Sequence, residues 1–186
     1  LDLKLVKVID THIHADHISA LNELNKRTNC IRVMGEKSKS EVIDLRIKDG
    51  EKIKVEEVEL QAIYTPGHTD CSYSFLMNDR VFTGDTLLIN GSGRTDFQNG
   101  NAYDAYDSIF NKLLKLPEKT LVFPAHDYNG KKFSTIENEK NNNPRLQVSS
   151  KEEYADIMNN LNLANPKMMD VAVPANVKGL TLDNIN

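Results

Sequence analysis

Residues 11–17 read Thr-His-Ile-His-Ala-Asp-His, which places three imidazoles and one carboxylate within six residues of chain. The chain has only five histidines, and the other two, His68 and His126, also lie in short clusters at the ends of apolar runs. Histidines that served only in packing would be scattered along the chain. Imidazole together with carboxylate is instead the usual ligand set of a catalytic metal ion. The clustering therefore predicts a metal site, and the fold must bring distant segments together to form it.

The spacing within this motif separates its side chains into two groups. In an extended or tightly turning segment, residues two apart point the same way, so His12 and His14 can face one centre. Asp16 and His17 follow as the chain turns into a helix, and they can face a neighbouring centre. Asp85 supplies a further carboxylate at the end of another apolar run. Ligands drawn from the ends of several strands predict a site on the rim of a β-sheet.

Length and composition limit the classes to which the chain can belong. At 186 residues, with 39% apolar and 27% charged residues, it is expected to form one globular domain, residues 1–186. A net charge of −4 without a basic block does not indicate nucleic-acid binding. No run approaches the roughly 20 apolar residues of a membrane span. Cys30 and Cys71 are far apart and no signal peptide is visible, so we expect the cytoplasm, or the mitochondrial matrix in a eukaryote.

The hydrophobic pattern predicts strands with helices between them. Alternation of apolar and polar residues predicts strands over residues 3–9, 29–34, 42–47, 52–64, 73–77, 80–83 and 120–123. In the strand predicted over residues 52–64, the alternation of apolar and polar residues is interrupted at Glu56-Glu57, which predicts a bulge or a turn. Apolar residues at helical spacing predict helices over residues 18–26 and 106–114. Two capping boxes, at Ser134 and Ser150, predict the starts of two further helices.

The ligand series as a whole resembles that of the metallo-β-lactamase superfamily. Its parts are the H-x-H-x-D-H motif, G-H-T at residues 67–69, T-G-D at residues 83–85 and the late His126. Further segments look like the persulfide dioxygenase branch, namely residues 91–98, 124–128, 143–146, 160–163 and 173–176. The resemblance runs from about residue 6 to about residue 179. It implies an α+β fold, an αββα sandwich of two packed sheets flanked by helices.

The resemblance also bears on the N-terminus. Members of the superfamily usually place several strands ahead of the histidine motif, whereas eleven residues precede His12 here. A chain that began at this point would expose a sheet edge and one face of its core. We therefore expect the sequence to be N-terminally incomplete and to lack the first strands of the fold.

Two metal arrangements are compatible with the resemblance. Persulfide dioxygenases hold one Fe(II) per chain, and His12, His68 and Asp85 match its catalytic ligands, a face with open positions for substrate and O2. A hydrolase of the glyoxalase II type would instead hold two zinc ions per chain. Its ligands would be His12, His14 and His68 for one ion, Asp16, His17 and His126 for the other, and Asp85 as the bridge. All these residues are present, so the ligand set does not choose between the two.

Residues outside the ligand set favour the dioxygenase. Residues 93–98 read G-R-T-D-F-Q where glyoxalase II typically has G-R-x-F-E-G, and residues 125–130 differ from its G-H-E-Y-T-like segment. Iron is expected because dioxygenation needs a redox-active ion, whereas zinc polarises and hydrolyses. His14, Asp16, His17 and His126 then remain candidates for a second metal or for contacts to the iron ligands. Asp127 could orient His126 or cap a turn.

The implied reaction is the oxidation of glutathione persulfide by O2 and water to sulfite and glutathione, as in sulfide detoxification. Glutathione carries two carboxylates, which guanidinium groups bind in a planar, two-bond geometry. Arg94, Tyr128 and Arg145 match the positions that line the family's substrate pocket. Ser92 departs from the family, which often has Cys there. The alternatives are a thiolester hydrolase of the glyoxalase II type and a truncated, non-catalytic binding module, and a homodimer is compatible with either enzyme.

Overall fold

The structure is a computed structural model that describes residues 3–184. Its strands are β1 Lys7–Ile9, β2 Ile31–Gly35, β3 Leu45–Ile47, β4 Lys52–Val55, β5 Val58–Tyr64, β6 Tyr73–Leu76, β7 Arg80–Gly84, β8 Leu87–Leu88, β9 Gly91–Ser92, β10 Leu121–Pro124 and β11 Ser134–Thr135. Its α-helices are α1 Leu21–Thr28, α2 Ala102–Tyr106, α3 Ile136–Asn142, α4 Lys151–Asn159 and α5 Met169–Lys178. Short 3₁₀ turns cover Leu113–Lys115, Pro144–Leu146 and Leu182–Asn184.

Two sheets face each other at the centre of the fold. The larger has six strands in the order β11-β10-β7-β6-β5-β4, and the smaller has three parallel strands in the order β1-β2-β3. Val33 and Ile47 of the small sheet pack against Ala62 and Phe75 of the large one. This apolar cluster lies between the sheets and holds them together.

The outward faces of both sheets are covered by helices. Because side chains alternate along a strand, Met34 points away from Val33 and packs with Leu21 of α1 and Val173 of α5. On the large sheet, Val81 and Val122 face the other way, toward a second core. That core includes Ile109, Leu113, Ile136, Tyr154 and Met158 from the helical segments. The layers are therefore helix, sheet, sheet and helix, which confirms the predicted αββα sandwich.

Several element boundaries differ from the predicted ones. The first strand covers only Lys7–Ile9, and the interruption at Glu56-Glu57 is a turn between β4 and β5 in which Glu56 has φ 50°. The helix predicted over residues 106–114 begins earlier, with Asn101 as its cap, and continues past α2 as a π-helix over Asp107–Lys112. The predicted cap at Ser134 is wrong: the Thr135 hydroxyl accepts from the Asn138 backbone N–H, while the Ser134 hydroxyl donates to the Glu139 carboxylate. Ser150 does cap α4, as predicted.

Strand direction determines where the candidate ligands lie. β5, β7 and β10 run in the same direction, since β6 is antiparallel to both β5 and β7 while β10 is parallel to β7. Their carboxyl ends therefore share one edge of the large sheet, and His68, Asp85 and His126 follow those ends. The histidine motif follows β1 of the small sheet and meets this edge, where the Tyr73 N–H donates to the Thr11 carbonyl at 2.9 Å.

No helix within residues 3–184 combines the length and apolar character needed to cross a membrane.

Candidate metal centre

Glycines allow the segments of the site to approach one another closely. Gly84 precedes Asp85 with φ 52°, and a Cβ on it would lie 2.6 Å from the Thr11 hydroxyl oxygen. Gly67 precedes His68 with φ 136°, and a Cβ there would lie 2.3 Å from the Ala105 backbone. A side chain at either position would combine backbone strain with a clash. These contacts explain why glycine stands before each of these two candidate ligands.

His12, His68 and Asp85 converge on one point. The Nε2 atoms of His12 and His68 lie 3.8 and 3.6 Å from the same Asp85 oxygen, Oδ2. One ligand atom from each residue falls within 4.8 Å of the others. Separations of 3.6 and 3.8 Å are too long for hydrogen bonds. The three donor atoms therefore surround a shared position without satisfying one another.

The other ring nitrogen of each histidine contacts the protein. His68 Nδ1 lies 2.8 Å from the carbonyl oxygen of Arg94, and since a carbonyl can only accept, Nδ1 carries the proton. The lone pair of His68 Nε2 is then free to bind a metal ion. His12 Nδ1 lies 2.9 Å from the Thr11 hydroxyl. Contacts of this kind fix the ring orientation of metal-binding histidines.

The electrostatics of the site also suit a metal ion. His12 is only 2% exposed, and burial, with the neighbouring histidines, lowers its pKa well below the usual value. It is therefore neutral at physiological pH, as a metal ligand must be. Two imidazoles and one carboxylate form the facial donor set found in non-haem Fe(II) oxygenases. The residues present thus fit a single iron ion.

A second group of donors lies beside the first. One ligand atom each from His14, Asp16 and His17 fall within 4.8 Å of one another. His14 Nδ1 is buried and has no hydrogen-bond partner among the residues described, and its Nε2 is 3.6 Å from an oxygen of Asp10. The His17 Nδ1 atom is 3.1 Å from Asp16 Oδ1. This group has the composition of a second metal site, so donor geometry alone leaves both arrangements open.

His126 links the two groups. Its Nδ1 is 2.7 Å from Asp85 Oδ1, and its Nε2 is 3.1 Å from Asp16 Oδ2. The hydrogen bond to Asp85, opposed by burial and helped by the charges of both acids, raises the pKa of His126 to about 9. Asp127 does not take part. Its carboxylate accepts from the backbone N–H groups of Asn129 and Lys131, so of its two predicted roles it caps the turn.

Arg94, Tyr128 and Arg145, the three predicted substrate residues, line one pocket with His68 and Asp85. They differ in how free their polar groups are to bind a ligand. The Arg94 guanidinium pairs with both oxygens of Asp96, donates to the Ala164 carbonyl at 2.7 Å and lies 3.9 Å above the Phe97 ring. Its hydrogen-bonding capacity is therefore largely used within the protein. Tyr128 is 84% exposed and stacks parallel to the His126 ring at 6.1 Å.

Arg145 is the available cation of this pocket. It donates one bond to the Ser92 carbonyl, and no Asp or Glu of the described residues pairs with it. Partial burial lowers the pKa of its guanidinium. Ser92 itself lies beneath the pocket, where its hydroxyl oxygen is 3.0 Å from the Tyr154 hydroxyl. A half-buried cation without a counter-ion among the described residues is suited to binding an anionic ligand.

Two side chains that contact the histidine motif were not assigned to the site from the sequence. They are the amides of Gln98 and Asn176, which bind the backbone of the motif. The only sequence signal for them was their place in segments 91–98 and 173–176, which resemble the persulfide dioxygenases.

Comparison with known proteins agrees with this geometry. Residues 33–126 match the family described as the metallo-beta-lactamase superfamily. The mouse persulfide dioxygenase ETHE1, mitochondrial, is 44% identical over 181 residues, which cover 96% of this chain and 70% of that protein. The crystal structure of ETHE1 from Myxococcus xanthus superimposes with a TM-score of 0.92 at 49% identity, over 95% of this chain and 78% of that one.

A hydrolytic relative is more distant. A hydroxyacylglutathione hydrolase from Dictyostelium discoideum is 32% identical over 152 residues, which cover 76% of this chain and 56% of that protein. The persulfide dioxygenases are thus similar over more of the chain and at higher identity. The chain belongs to the persulfide dioxygenase family, within the metallo-β-lactamase superfamily.

Proposed function

We propose that this chain is a mononuclear Fe(II) dioxygenase that converts glutathione persulfide, O2 and water into glutathione and sulfite. Its membership of the family makes it an oxygenating enzyme with a metal-binding site. The iron, its ligands and the glutathione persulfide substrate are the proposed part. The observation that carries the proposal is the convergence of His12, His68 and Asp85 on one point.

The proposed ligand set is compatible with iron, and the redox chemistry of the reaction favours it. His12, His68 and Asp85 would hold the ion on one face and leave the opposite positions open for substrate and O2. Fe(II) would supply the redox change that dioxygenation requires, which zinc lacks. Asp85 would be the only anionic ligand, and its second oxygen accepts from His126. The Arg94 carbonyl would keep the His68 ring turned toward the ion.

The chain's other residues would bind and orient the substrate. In the proposal Arg145 binds a glutathione carboxylate, because it is a half-buried cation of the pocket and has no acid partner among the described residues. Leu163 and Pro166 form an apolar wall of the pocket in which the substrate would lie. Arg94 supports that wall through the Leu163 and Ala164 carbonyls. Tyr128 lies at the exposed rim, where its ring can cover the bound peptide.

In the overall reaction the two atoms of O2 and the oxygen of one water molecule end on the terminal sulfur. The S–S bond breaks, the inner sulfur leaves as the glutathione thiol, and sulfite is released. Four electrons pass from the terminal sulfur to O2. The metal held by His12, His68 and Asp85 would supply the redox chemistry, and the residues of the pocket would orient the persulfide toward it.

A thiolester hydrolase of the glyoxalase II type is the second candidate. It is favoured by the grouping of His14, Asp16 and His17 and by the similarity to the Dictyostelium hydrolase. In that case two zinc ions would be held, and Asp85 would lie between them. A water molecule made acidic by zinc would then be the nucleophile.

One experiment separates the two candidates. Protein purified without air and without added metal is assayed for metal content, for O2 uptake with glutathione persulfide and for hydrolysis of S-lactoylglutathione. The dioxygenase predicts one iron per chain and substrate-dependent O2 uptake with release of sulfite. Two zinc ions per chain with thiolester hydrolysis would support the hydrolase. An iron-loaded protein that consumes no O2 would contradict the dioxygenase.

The setting of the enzyme is also part of the proposal. We propose that residues 1–186 act as one domain in a reducing compartment, the cytoplasm or the mitochondrial matrix. Support comes from the two buried free thiols, Cys30 and Cys71, and from the mouse and human relatives, which are named as mitochondrial. Homodimer formation is proposed as well, and light scattering of the purified protein tests it.

A further inference from the structure

The segment that carries the histidine motif, residues 10–20, contains no helix and no strand. Its shape therefore depends on contacts from other parts of the chain. The Tyr73 N–H donates to the Thr11 carbonyl, and the Ile13 N–H points at the Cys71 sulfur, 3.4 Å away. The hydroxyl of Ser19 donates to Asp10 across the segment. These contacts leave several backbone groups of the motif to be bound by other residues.

Asn176 of α5 binds three of these groups with one side chain. Its Nδ2 donates to the carbonyls of His14 and His17, both at 2.9 Å, and its Oδ1 accepts from the Ser19 N–H at 2.8 Å. The residue is 8% exposed. Its contacts span the half of the motif that carries Asp16, which in turn contacts His126. The C-terminal helix thus fixes the backbone from which Asp16 projects.

Gln98 binds the motif from the opposite side. Its Nε2 donates to the Ile13 carbonyl at 2.7 Å, and Ile13 lies between His12 and His14. Gln98 has φ 46° and Asn99 has φ 57°, so two consecutive non-glycine residues adopt the left-handed conformation. That conformation is unfavourable for both. The bond to Ile13 is one contact by which the tertiary structure offsets this strain.

We propose that the amide pair, Gln98 and Asn176, positions the histidine motif for metal binding. The inference rests on the proposed metal centre but not on the choice between iron and zinc. Both side chains bind backbone carbonyls of the motif and neither belongs to the candidate ligand groups, so we assign them as positioning residues. An amide is suited to this task because it offers two donors and one acceptor without a charge. A carboxylate at residue 176 would set an oxygen against two carbonyl oxygens.

The test measures metal affinity and fold stability separately. Gln98→Ala and Asn176→Ala are titrated with cobalt(II) in competition with a chelator, and the absorption spectrum of bound cobalt reports the geometry of its ligands. Asn99→Ala is the control for Gln98, because the Asn99 amide contacts Asp70 and not the motif. Ser40→Ala is the control for Asn176. The Ser40 hydroxyl donates to the backbone carbonyl of Asn176 and does not contact the Asn176 amide that binds the motif.

A further control separates positioning from general destabilisation. Leu113→Ala opens a cavity in the core on the helical side of the large sheet and lowers the melting temperature of the metal-free protein. The proposal predicts that this variant keeps the cobalt affinity and spectrum of the wild type. Gln98→Ala and Asn176→Ala should each raise the dissociation constant roughly 10- to 100-fold and alter the spectrum, as for other groups that orient metal ligands.

The outcomes distinguish this inference from the function on which it rests. Wild-type protein that binds no metal would contradict the metal centre itself. Wild-type protein that binds cobalt, with Gln98→Ala binding it equally well and with the same spectrum, would contradict the amide pair alone. Gln98 is half-buried and its side chain can be removed without opening the core, so this result remains decisive if Asn176→Ala does not fold. A loss of affinity in Leu113→Ala as large as in Gln98→Ala would also overturn the proposal.

Discussion

Asp85 is the residue at which the two donor groups of the site meet. One of its oxygens faces the Nε2 atoms of His12 and His68, and the other accepts from His126. Its carboxylate would therefore be the only negative charge in the proposed iron site, and it also keeps His126 in place. Substitution here tests the ligand assignment most directly.

We expect Asp85→Asn to lose most of its iron. The amide keeps the shape of the side chain but removes the anionic ligand. Changes in groups that merely orient ligands cost about 10- to 100-fold in metal affinity, so loss of a ligand should cost at least about 100-fold. Metal analysis after dialysis against a weak chelator measures the loss. Retention of one tightly bound iron per chain would show that Asp85 is not a ligand.

His14→Ala is the companion variant, because it discriminates between the two metal arrangements. If one iron is held by His12, His68 and Asp85, removal of the His14 ring leaves the metal content near one per chain. If two zinc ions are held, the same change removes a ligand and one ion is lost. Elemental analysis of His14→Ala in parallel with Asp85→Asn measures the number of metal ions that each variant retains per chain.

At Arg145 we expect a change in substrate recognition with no change in metal content. Arg145→Ala removes a charge-assisted contact to a carboxylate far from the reacting sulfur. Such a contact is worth about 1.5–3 kcal/mol, or about one to two decades in kcat/KM, and most of the effect should be in KM. Steady-state O2 uptake measures it. Arg80→Ala, which removes an arginine paired with its neighbour Asp79 on the exposed hairpin, is the control. Loss of iron or unfolding in Arg145→Ala would make Arg145 structural.

The elements of the fold were predictable where their signal is local. The turn at Glu56-Glu57 and the hairpin between β6 and β7 follow from residue type and alternation. The π-helix over Asp107–Lys112 was not predictable. The spacing of apolar residues does not distinguish a short π-helical segment from the α-helix around it. The cap of α3 was missed for a different reason. Thr135, one residue later, is the cap, and the Ser134 hydroxyl donates instead to the Glu139 carboxylate, a side-chain contact that the capping pattern does not specify.

At the scale of elements, the pair Arg32–Asp44 joins β2 to the start of β3. The guanidinium makes two bonds to the carboxylate, at 2.9 and 2.8 Å, and the Arg32 backbone N–H makes a third at 2.9 Å. Arg32 also donates to Asn22 of α1. These bonds lower the pKa of Asp44 from 3.8 to about 2, with the side-chain bond from Arg32 as the largest cause.

Because the folded-state pKa is depressed, we expect Asp44→Asn to destabilise the protein at neutral pH but progressively less under acid conditions. The contribution of the carboxylate is present above pH 3.8 and is lost as the pH falls from there through about 2. The Asp44 side chain is 38% exposed, so solvent screening reduces the effect to about 1 kcal/mol. Urea unfolding at pH 7 and pH 3 measures it. Asp79→Asn, in a pair that joins no second element, is the control and should show a smaller change.

At the scale of the whole molecule, the convergence of the candidate metal ligands could be inferred from the sequence, but the contacts around them could not. His12, His68 and Asp85 belong to short motifs whose residue types and order carry the resemblance. The engagement of Arg94 with Ala164, or of Asn176 with the histidine motif, depends on contacts between residues more than 65 positions apart. A linear pattern holds no information about which partner such a side chain meets. Asp127 is a different case, because its contacts are local: its carboxylate caps the following turn and does not orient His126.

Since the proposed ligands come from both sheets, metal binding should stabilise the entire fold. His12 follows the small sheet, while His68 and Asp85 follow strands of the large one, so one ion would join segments that are separate in the unfolded chain. An ion that binds only the folded state adds about 2.7 kcal/mol at a free concentration 100 times its dissociation constant. For a domain of this size that gain corresponds to a rise in Tm of roughly 5–11 °C. Differential scanning calorimetry of anaerobic protein, with Fe(II) and then with excess chelator, measures the rise and its reversal. Asp85→Asn should show no rise, and a wild-type Tm that is unchanged by Fe(II) would contradict a site shared between the two sheets.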